Sequence, residues 1–174
     1  CIEKALAAMS AALKKTEEGL RVQSLCYSIR EMNVGDRVPD FTLPTPNGKE
    51  VNFYSFLKGK KCVILDFWAS WCVWCRKESP NVRKVFDTYK AKGVDVISVS
   101  FDTNRDQWVK AIAEDDTPWT QVSDLKSTDE GYLYKWYGLQ GIPAIFLIDA
   151  QGRIIAKGMR GAAIEENVKK FLNK

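Results

Sequence analysis

Two cysteines separated by two residues, Cys72 and Cys75, are the strongest chemical signal in this sequence. They follow an apolar run, residues 62–68, and open an amphipathic segment, which predicts a strand leading into the first turn of a helix. At that position unsatisfied backbone N–H groups and the helix dipole stabilise a thiolate. Because a thiolate attacks a disulfide through a mixed-disulfide intermediate, the spacing predicts thiol-disulfide exchange, with Cys72 attacking and Cys75 resolving.

A zinc half-site is the alternative interpretation of a Cys-x-x-Cys pair. Structural zinc needs four ligands, and the sequence contains 0 histidines and no second Cys-x-x-Cys motif. We therefore expect no metal and no cofactor, with the redox-active disulfide Cys72–Cys75 as the reacting group. Cys62 is expected to be an inert core residue and Cys26 a packed or idle thiol.

Two acidic residues flank the cysteine pair. Asp66 lies within the apolar run, six residues before Cys72, and burial raises the pKa of a carboxyl, which suits it to proton exchange with a nearby thiol. A structural carboxylate that binds the backbone is the alternative role for Asp66. Glu78 follows Cys75 by three residues and therefore shares its helical face. Glu78 is either a second acid that tunes Cys75 or a surface acid beside Arg76.

The segment Gly141-Ile142-Pro143 comes immediately before an apolar strand. A proline at the start of a strand is usually an edge device. The alternative is a cis peptide bond that brings this loop against the sulfurs and leaves the Ile142 backbone free to pair with an extended substrate. Beside the cysteines, Trp71 and Trp74 either contact a substrate or pack around the pair as core and rim residues.

The elements that must position these residues alternate between strands and helices and include two hairpins, which predicts a mixed sheet in a three-layer α/β/α sandwich. The run at 62–68 is apolar on both faces, as expected of a strand covered by helices on either side. In chain order we predict an interrupted helix or helical hairpin at 2–32 with a break near Gly19, a boundary at 32–40, a hairpin at 41–53 with a type I′ turn at Asn47-Gly48, a helix kinked by Pro80, a strand at 94–101, a helix at 104–115 with Trp108, Ile112 and Ala113 inward, a strand at 117–122, a helix at 129–137, a hairpin at 145–156 and a helix at 165–172.

Composition limits the size of the core and the classes of partner. The chain has 174 residues, 45% of them hydrophobic, which is enough for one core with about 30 residues left over. We therefore predict an N-terminal helical extension at 1–33 and one domain at 34–174. The 26 basic and 22 acidic residues are scattered along the chain, so the net charge of +4 does not indicate nucleic acid binding. No apolar run reaches the about 18 residues that a transmembrane helix needs.

Several motifs together resemble a known family. They are Asp66-Phe-Trp-Ala-Ser-Trp-Cys72-Val-Trp-Cys75, Arg76-Lys-Glu78-Ser-Pro80, Gly141-Ile-Pro143 and the hairpin Ile148-Asp-Ala-Gln-Gly152. In this combination the chain resembles the thioredoxin superfamily over about residues 34–174. More narrowly, it is similar to the TlpA/ResA-like bacterial thiol-disulfide oxidoreductases, which are related to the AhpC/TSA branch.

The resemblance implies a thioredoxin-like fold with an N-terminal β-hairpin and an inserted strand-helix unit around residues 101–122. It implies that Cys72 and Cys75 are the redox pair and that Pro143 is the cis-proline. Asp66 matches the buried aspartate of thioredoxin, and Glu78 matches the buried glutamate of the TlpA/ResA group. The Val73-Trp74 dipeptide between the cysteines departs from the family pattern, in which proline is often second, so the resemblance implies no particular reduction potential.

As a function, the resemblance implies an enzyme, a thiol-disulfide oxidoreductase that reduces disulfides of envelope proteins. Its partners would be protein disulfide or dithiol substrates and an upstream electron donor. Its location would be a bacterial periplasm or cell envelope, free or tethered by a removed or upstream segment. A thiol peroxidase on the same fold is one alternative, although peroxiredoxins carry threonine or serine where this chain has Ala69. A non-catalytic binding scaffold, docking through its tryptophans, is the other.

Overall fold

The computed structural model describes residues 8–10, 12–28 and 32–173, and the predictions for residues 2–7, 11 and 29–31 lie outside this part. In chain order its elements are a 3₁₀ turn (Leu13–Lys15), helix α1 (Glu17–Ser28), strands β1 (Thr42–Pro44) and β2 (Glu50–Asn52), helix α2 (Phe53–Leu57), strand β3 (Cys62–Trp68), helix α3 (Val73–Tyr89), a 3₁₀ turn (Lys90–Lys92), strand β4 (Val94–Ser100), helix α4 (Arg105–Glu114), strand β5 (Thr120–Val122), helix α5 (Tyr132–Trp136), strands β6 (Ala144–Asp149) and β7 (Ile154–Lys157), and helix α6 (Ala162–Leu172).

A five-stranded sheet in the order β5-β4-β3-β6-β7 forms the centre of the molecule, and β1 pairs with β2 in a separate hairpin. Strand β3 lies between a parallel neighbour, β4, and an antiparallel neighbour, β6. This is the mixed sheet that the sequence predicts. Since β3 and β4 are parallel, their carboxyl ends meet at one edge of the sheet, and the chain leaves that edge to enter α3.

Side chains of β3 alternate between the two faces of the sheet, as the strand period of two requires. One face packs against α5 and the segment before β3, through Val63, Leu65 and Phe67. The opposite face packs against α3 and α6, through Cys62 and Ile64. By the same alternation Asp66 lies on the face that α3 and α6 cover. Burying each of the large apolar side chains contributes about 1.5 to 3 kcal/mol, so this strand fixes the sheet and the position of the helix that follows.

The turn between β1 and β2 differs from the predicted type I′ turn. That turn needs a positive φ at both central residues, but Gly48 has φ +83° while Asn47 does not share that conformation. The connection instead spans residues 45–49, and the Asn47 side chain oxygen accepts hydrogen bonds from the Lys49 N–H at 3.3 Å and from the Thr45 hydroxyl at 2.5 Å. The type I′ prediction is therefore wrong, because the asparagine side chain stabilises a longer turn.

In the described part of the N-terminal helical region a break lies at Thr16, three residues before Gly19, which is itself inside α1. The Thr16 hydroxyl oxygen accepts the Gly19 N–H at 3.1 Å, as a helix cap does. A Cβ atom at Gly19 would lie 1.8 Å from the Leu13 carbonyl oxygen, so glycine is needed here for close approach of the chain. Helix α1 packs on α5, where the Trp136 indole donates to the Ser24 hydroxyl at 2.8 Å. The division of the chain at residue 33 stays a prediction.

Helices α3 and α4 lie where the sequence predicts helices, but α4 differs from its prediction in detail. Helix α3 runs through Pro80 without interruption, and the predicted kink stays a prediction. In α4, Trp108 and Ala111 are buried, Ile112 is partly buried and Ala113 is exposed, so the inward position predicted for Ala113 is wrong. Ala111 lies three residues after Trp108 and therefore on its face. No helix in the described ranges is both long and apolar enough to span a bilayer.

Candidate active site

Strand β3 delivers the two cysteines to the start of α3, as the spacing predicts. Cys72 is the N-cap residue, and its sulfur accepts the Cys75 backbone N–H at 3.1 Å. The two side chains are joined by a disulfide. Cys72 is 7% exposed and Cys75 is 4% exposed, so the residue at the helix end is slightly the more accessible of the two. When the disulfide is reduced, the N-cap position and the helix dipole both favour a thiolate on Cys72.

A buried carboxylate, Asp102, holds the turn before Cys72. It accepts the Ser70 backbone N–H at 2.9 Å and the Ser70 hydroxyl at 2.5 Å. The Ser100 hydroxyl, at the end of β4, also donates to it, at 2.6 Å. Asp102 thereby ties the β3–α3 turn to the end of the neighbouring strand. Asp102 was not among the predicted site residues. Its place directly after a parallel strand is a signal for it, because such residues meet at one edge of the sheet.

Asp66 lies on the face of β3 that α3 and α6 cover, and among the seven residues of the strand it alone is not fully buried. The Ser98 hydroxyl donates to it at 2.9 Å, and the Trp119 indole donates to Ser98 at 2.8 Å. Burial raises the pKa of Asp66 to about 6, the Ser98 hydrogen bond and the positive charge of Arg160 lower it, and the negative charge of Glu78 raises it. The carboxyl can therefore gain or lose a proton near neutral pH.

Glu78 is partly buried, and one of its carboxylate oxygens accepts two hydrogen bonds. That oxygen accepts the Asn81 side-chain amide at 3.0 Å and the Gly161 backbone N–H at 2.9 Å. Gly161 is the N-cap residue of α6, so the carboxylate lies where the helix dipole favours negative charge. Glu78 is thus tied to α6 instead of being a free surface acid, and its charge acts on Asp66. The structure brings the two sequence-predicted acids to one face of the sheet.

The Ile142–Pro143 peptide bond is cis. Pro143 is buried, and Ile142 packs against the cluster that contains both cysteines together with Trp68, Ala69, Trp108 and Ala111. Within the described residues, no hydrogen bond joins the Ile142 N–H or C=O to another group. The loop therefore lies beside the disulfide with a free donor and acceptor in its backbone.

The surface next to the disulfide is apolar. Trp71 is 60% exposed, Val73 63% and Trp74 70%, and the Lys77 ammonium lies 4.3 Å from the Trp74 ring centroid. Trp68 differs from them, because it is buried and donates from its indole to the Gln121 side chain at 3.1 Å. Contiguous exposed apolar groups of this kind mark interaction sites. We name Trp71, Val73 and Trp74 the tryptophan patch.

The remaining cysteines of the described ranges are free thiols. Cys62 is buried in the core, and burial raises the pKa of its thiol to about 12. It therefore stays protonated at physiological pH and is a poor nucleophile. Cys26 is partly exposed on α1. In the part of the chain that the structure describes, no group of three or more Cys, Asp and Glu side chains is placed to hold a metal ion.

The sheet, the disulfide at the start of α3 and the adjacent cis-proline together define a thioredoxin-like protein. Comparison with known proteins gives the family, since the AhpC/TSA family model matches residues 34–157. The thioredoxin domain of a thiol-disulfide oxidoreductase from Bacteroides vulgatus is 37% identical, with a TM-score of 0.76, and the match covers 82% of this chain and 100% of that one. A thiol:disulfide interchange protein from Bacteroides sp. is 36% identical, with a TM-score of 0.74, covering 82% and 92%.

Among curated sequences, thiol-disulfide oxidoreductase ResA from Bacillus thuringiensis subsp. konkukian is 31% identical over 144 residues, which is 83% of this chain and 79% of that protein. The chain belongs to the AhpC/TSA family, in its TlpA/ResA-like group within the thioredoxin superfamily. It is a thiol-disulfide oxidoreductase. The predicted fold class, family and enzyme class are confirmed, whereas the roles of the individual site residues stay predictions.

Proposed function

We propose that this protein reduces disulfides in extended segments of bacterial envelope proteins. The observation that carries the proposal is the position of Cys72 at the N-cap of α3. It is flanked in the chain by residues of the tryptophan patch and lies in one cluster with Ile142, whose backbone is free. A substrate segment that binds there pairs with Ile142 as an added strand and rests its apolar side chains on Trp71 and Trp74. Its disulfide then lies against Cys72.

The first chemical step is attack by the Cys72 thiolate on one sulfur of the substrate disulfide. A Cys72–substrate sulfur bond forms, the substrate S–S bond breaks, and the other substrate sulfur leaves as a thiolate. The backbone N–H of Cys75, which lies 3.1 Å from the Cys72 sulfur, stabilises negative charge on that sulfur before the attack. Buried Pro143 supports the loop that holds the substrate in line.

The second step is attack by Cys75 on the Cys72 sulfur of the mixed disulfide. Cys75 must lose its proton first, and we assign that proton to the carboxylate of Asp66, which titrates near neutral pH. The Cys72–Cys75 disulfide forms again, and the second substrate sulfur leaves as a thiolate. Glu78 acts on this step through its charge, which keeps the pKa of Asp66 raised.

The turnover needs an external dithiol that reduces the Cys72–Cys75 disulfide again, and it needs no bound cofactor because the two sulfurs carry both electrons. The resemblance to the TlpA/ResA-like group supports a location in the periplasm or cell envelope. Labelling of Cys72 by a membrane-impermeant thiol reagent, in spheroplasts of the bacterium that makes the protein, tests that location. Labelling that requires lysis contradicts it.

Trapping of the mixed disulfide tests the reaction. Cys75→Ser removes the resolving thiol, so incubation with insulin is expected to accumulate a covalent adduct at Cys72 that dithiothreitol releases. Cys72→Ser is expected to give neither the adduct nor insulin reduction. Cys26→Ser is the matched control, because it removes a thiol outside the site and should behave as the unchanged protein.

Full insulin reduction by Cys72→Ser contradicts the proposed function, as does an adduct at Cys26 or Cys62. A thiol peroxidase would instead consume peroxide rapidly without any added disulfide substrate. A binding scaffold would show neither the adduct nor turnover. The three readouts therefore separate the proposed reductase from both alternatives.

A further inference from the structure

We propose that Arg160, in the loop between β7 and α6, is a positioning residue of the exchange site that fixes the cis-proline loop and places a positive charge opposite Asp66. The inference rests on the proposed function, because it assigns Arg160 a part in binding the substrate and in moving the proton. Arg160 lies 85 positions after Cys75 in the chain and has no part in the sequence motifs.

The contacts of the guanidinium join two segments of the loop region. One terminal nitrogen donates to the carbonyl oxygen of Pro143, and the other donates to the Met159 carbonyl oxygen at 2.7 Å. Both bonds lie in partly buried surroundings. Two carbonyls at fixed positions suit the planar fork of arginine, which presents several donors at once. Arg160 therefore holds Pro143, the residue directly after Ile142, whose backbone N–H and C=O are free.

The residue after Arg160 contacts the second acid of the site. Gly161 donates its backbone N–H to Glu78 at 2.9 Å and has φ +52°, a conformation that favours glycine. Adjacent residues of one short loop thus contact the cis-proline and Glu78. A displacement of this loop would change the substrate-binding loop and the acid pair together.

The groups that act on the pKa of Asp66 come from three elements. The positive charge of Arg160, in the β7–α6 loop, lowers the pKa, and the negative charge of Glu78, in α3, raises it. Ser98 of β4 contributes a neutral hydrogen bond that lowers it. Arg160 is the positive member of this set. If the positive charge of Arg160 is removed, nothing of that sign among the described residues offsets the effect of Glu78, and the pKa of Asp66 must rise further. Asp66 would then be protonated at a pH where Cys75 needs a proton acceptor.

Two substitutions separate the hydrogen bonds from the charge. Arg160→Met keeps the apolar stem and removes both, whereas Arg160→Lys keeps the charge and loses the fork. Arg153→Met is the matched control, because Arg153 lies before β7 and also donates to a backbone carbonyl, that of Gly35, at 3.0 Å. Insulin reports on loop binding, and hydroxyethyl disulfide, which is small and uncharged, reports on the sulfurs without needing the loop.

We expect Arg160→Met to raise the KM for insulin about tenfold, the usual effect of losing a hydrogen bond to a charged donor, with a smaller change in kcat. The rate with hydroxyethyl disulfide at high pH should stay close to that of the unchanged protein. The pH midpoint of the Asp66 carboxyl, followed by carbon NMR, should move upward in Arg160→Met and stay near that of the unchanged protein in Arg160→Lys. Arg160→Lys should retain the raised KM for insulin.

The proposal is overturned if Arg160→Met and Arg153→Met have the same KM for insulin and the same pH midpoint of Asp66. An equal loss with both disulfides accompanied by a lower free energy of unfolding also overturns it, since that pattern describes a merely structural residue. The carboxyl titration needs no turnover. If the unchanged protein fails to reduce insulin, the proposed function fails, and an unmoved Asp66 midpoint in Arg160→Met would separately overturn the role of Arg160.

Discussion

The raised pKa of Asp66 predicts a dependence of stability on pH that Asp66→Asn should remove. Burial moves the pKa of this carboxyl from its ordinary 3.8 to about 6 in the folded protein. Each pKa unit corresponds to about 1.4 kcal/mol, so an ionised Asp66 costs the folded protein about 3 kcal/mol at neutral pH. Partial exposure of the residue makes this figure an upper value.

The sign follows from where the proton binds more tightly. Because the folded protein holds the proton more tightly than the unfolded chain, this stabilising contribution is complete below about pH 4 and is lost as the pH rises through about 6. Asparagine never ionises, and its amide oxygen can still accept the Ser98 hydroxyl. Asp66→Asn should therefore match the unchanged protein at about pH 4 and exceed its free energy of unfolding by about 2 to 3 kcal/mol at about pH 8.

Urea unfolding of the oxidised protein between about pH 4 and about pH 8 measures this difference. Asp87→Asn is the control, because Asp87 is an exposed acid paired with Arg83 at 2.7 Å, and its change should stay within about 0.5 kcal/mol at every pH. A difference for Asp66→Asn that does not grow with pH contradicts the raised pKa of Asp66. A lower stability than that of the unchanged protein at neutral pH refutes it as well.

Two further substitutions test how the site and the sheet are held. Asp102→Asn should lower the free energy of unfolding by about 1 to 3 kcal/mol and slow insulin reduction, because the amide keeps only one oxygen and one of the two Ser70 donors loses its acceptor. Gly152→Ala should cost about 2 to 4 kcal/mol in urea unfolding, since Gly152 has φ +80° and its Cβ would lie 2.5 Å from the Tyr54 hydroxyl oxygen.

Full activity and stability in Asp102→Asn would show that the β3–α3 turn needs no support from that carboxylate. Gly158→Ala is the control for Gly152→Ala, because it separates the cost of the positive φ from the cost of the steric clash with Tyr54. Gly158 has φ +68°, and a Cβ atom added there would meet nothing within 4 Å. Equal costs for Gly158→Ala and Gly152→Ala would show that the Tyr54 contact is unimportant.

Local patterns in the sequence were sufficient to predict the reacting groups and most elements. The apolar run that becomes β3 matches the strand at both ends, Cys62 and Trp68, because a fully covered strand needs an unbroken apolar sequence. Cys72 and Cys75 follow it at a fixed offset, so their place at the helix start was predictable. The cis bond at Pro143 followed from the family resemblance and not from the residues alone.

Other features depend on contacts between distant parts of the chain, which periodicity does not report. Arg160 reaches Pro143 through the packing of the β7–α6 loop against β6, and a lone arginine after a strand gives no signal of it. Glu78 is tied to Gly161 across 83 positions. The type I′ prediction at Asn47 was wrong for a local reason, since the side chain of the asparagine in an Asn-Gly pair can stabilise more than one type of turn.

A redox titration tests most directly whether Cys72 and Cys75 act as one redox pair. The protein is equilibrated with mixtures of reduced and oxidised dithiothreitol or glutathione, and its free thiols are then alkylated. Mass spectrometry counts the alkyl groups at each potential, with Cys72→Ser as the control. We predict one two-electron transition in which both thiols become alkylated together, with a midpoint nearer the about −270 mV of thioredoxin than the about −120 mV of DsbA. Alkylation of the two cysteines that does not depend on the applied potential, or a midpoint near about −120 mV, would contradict it.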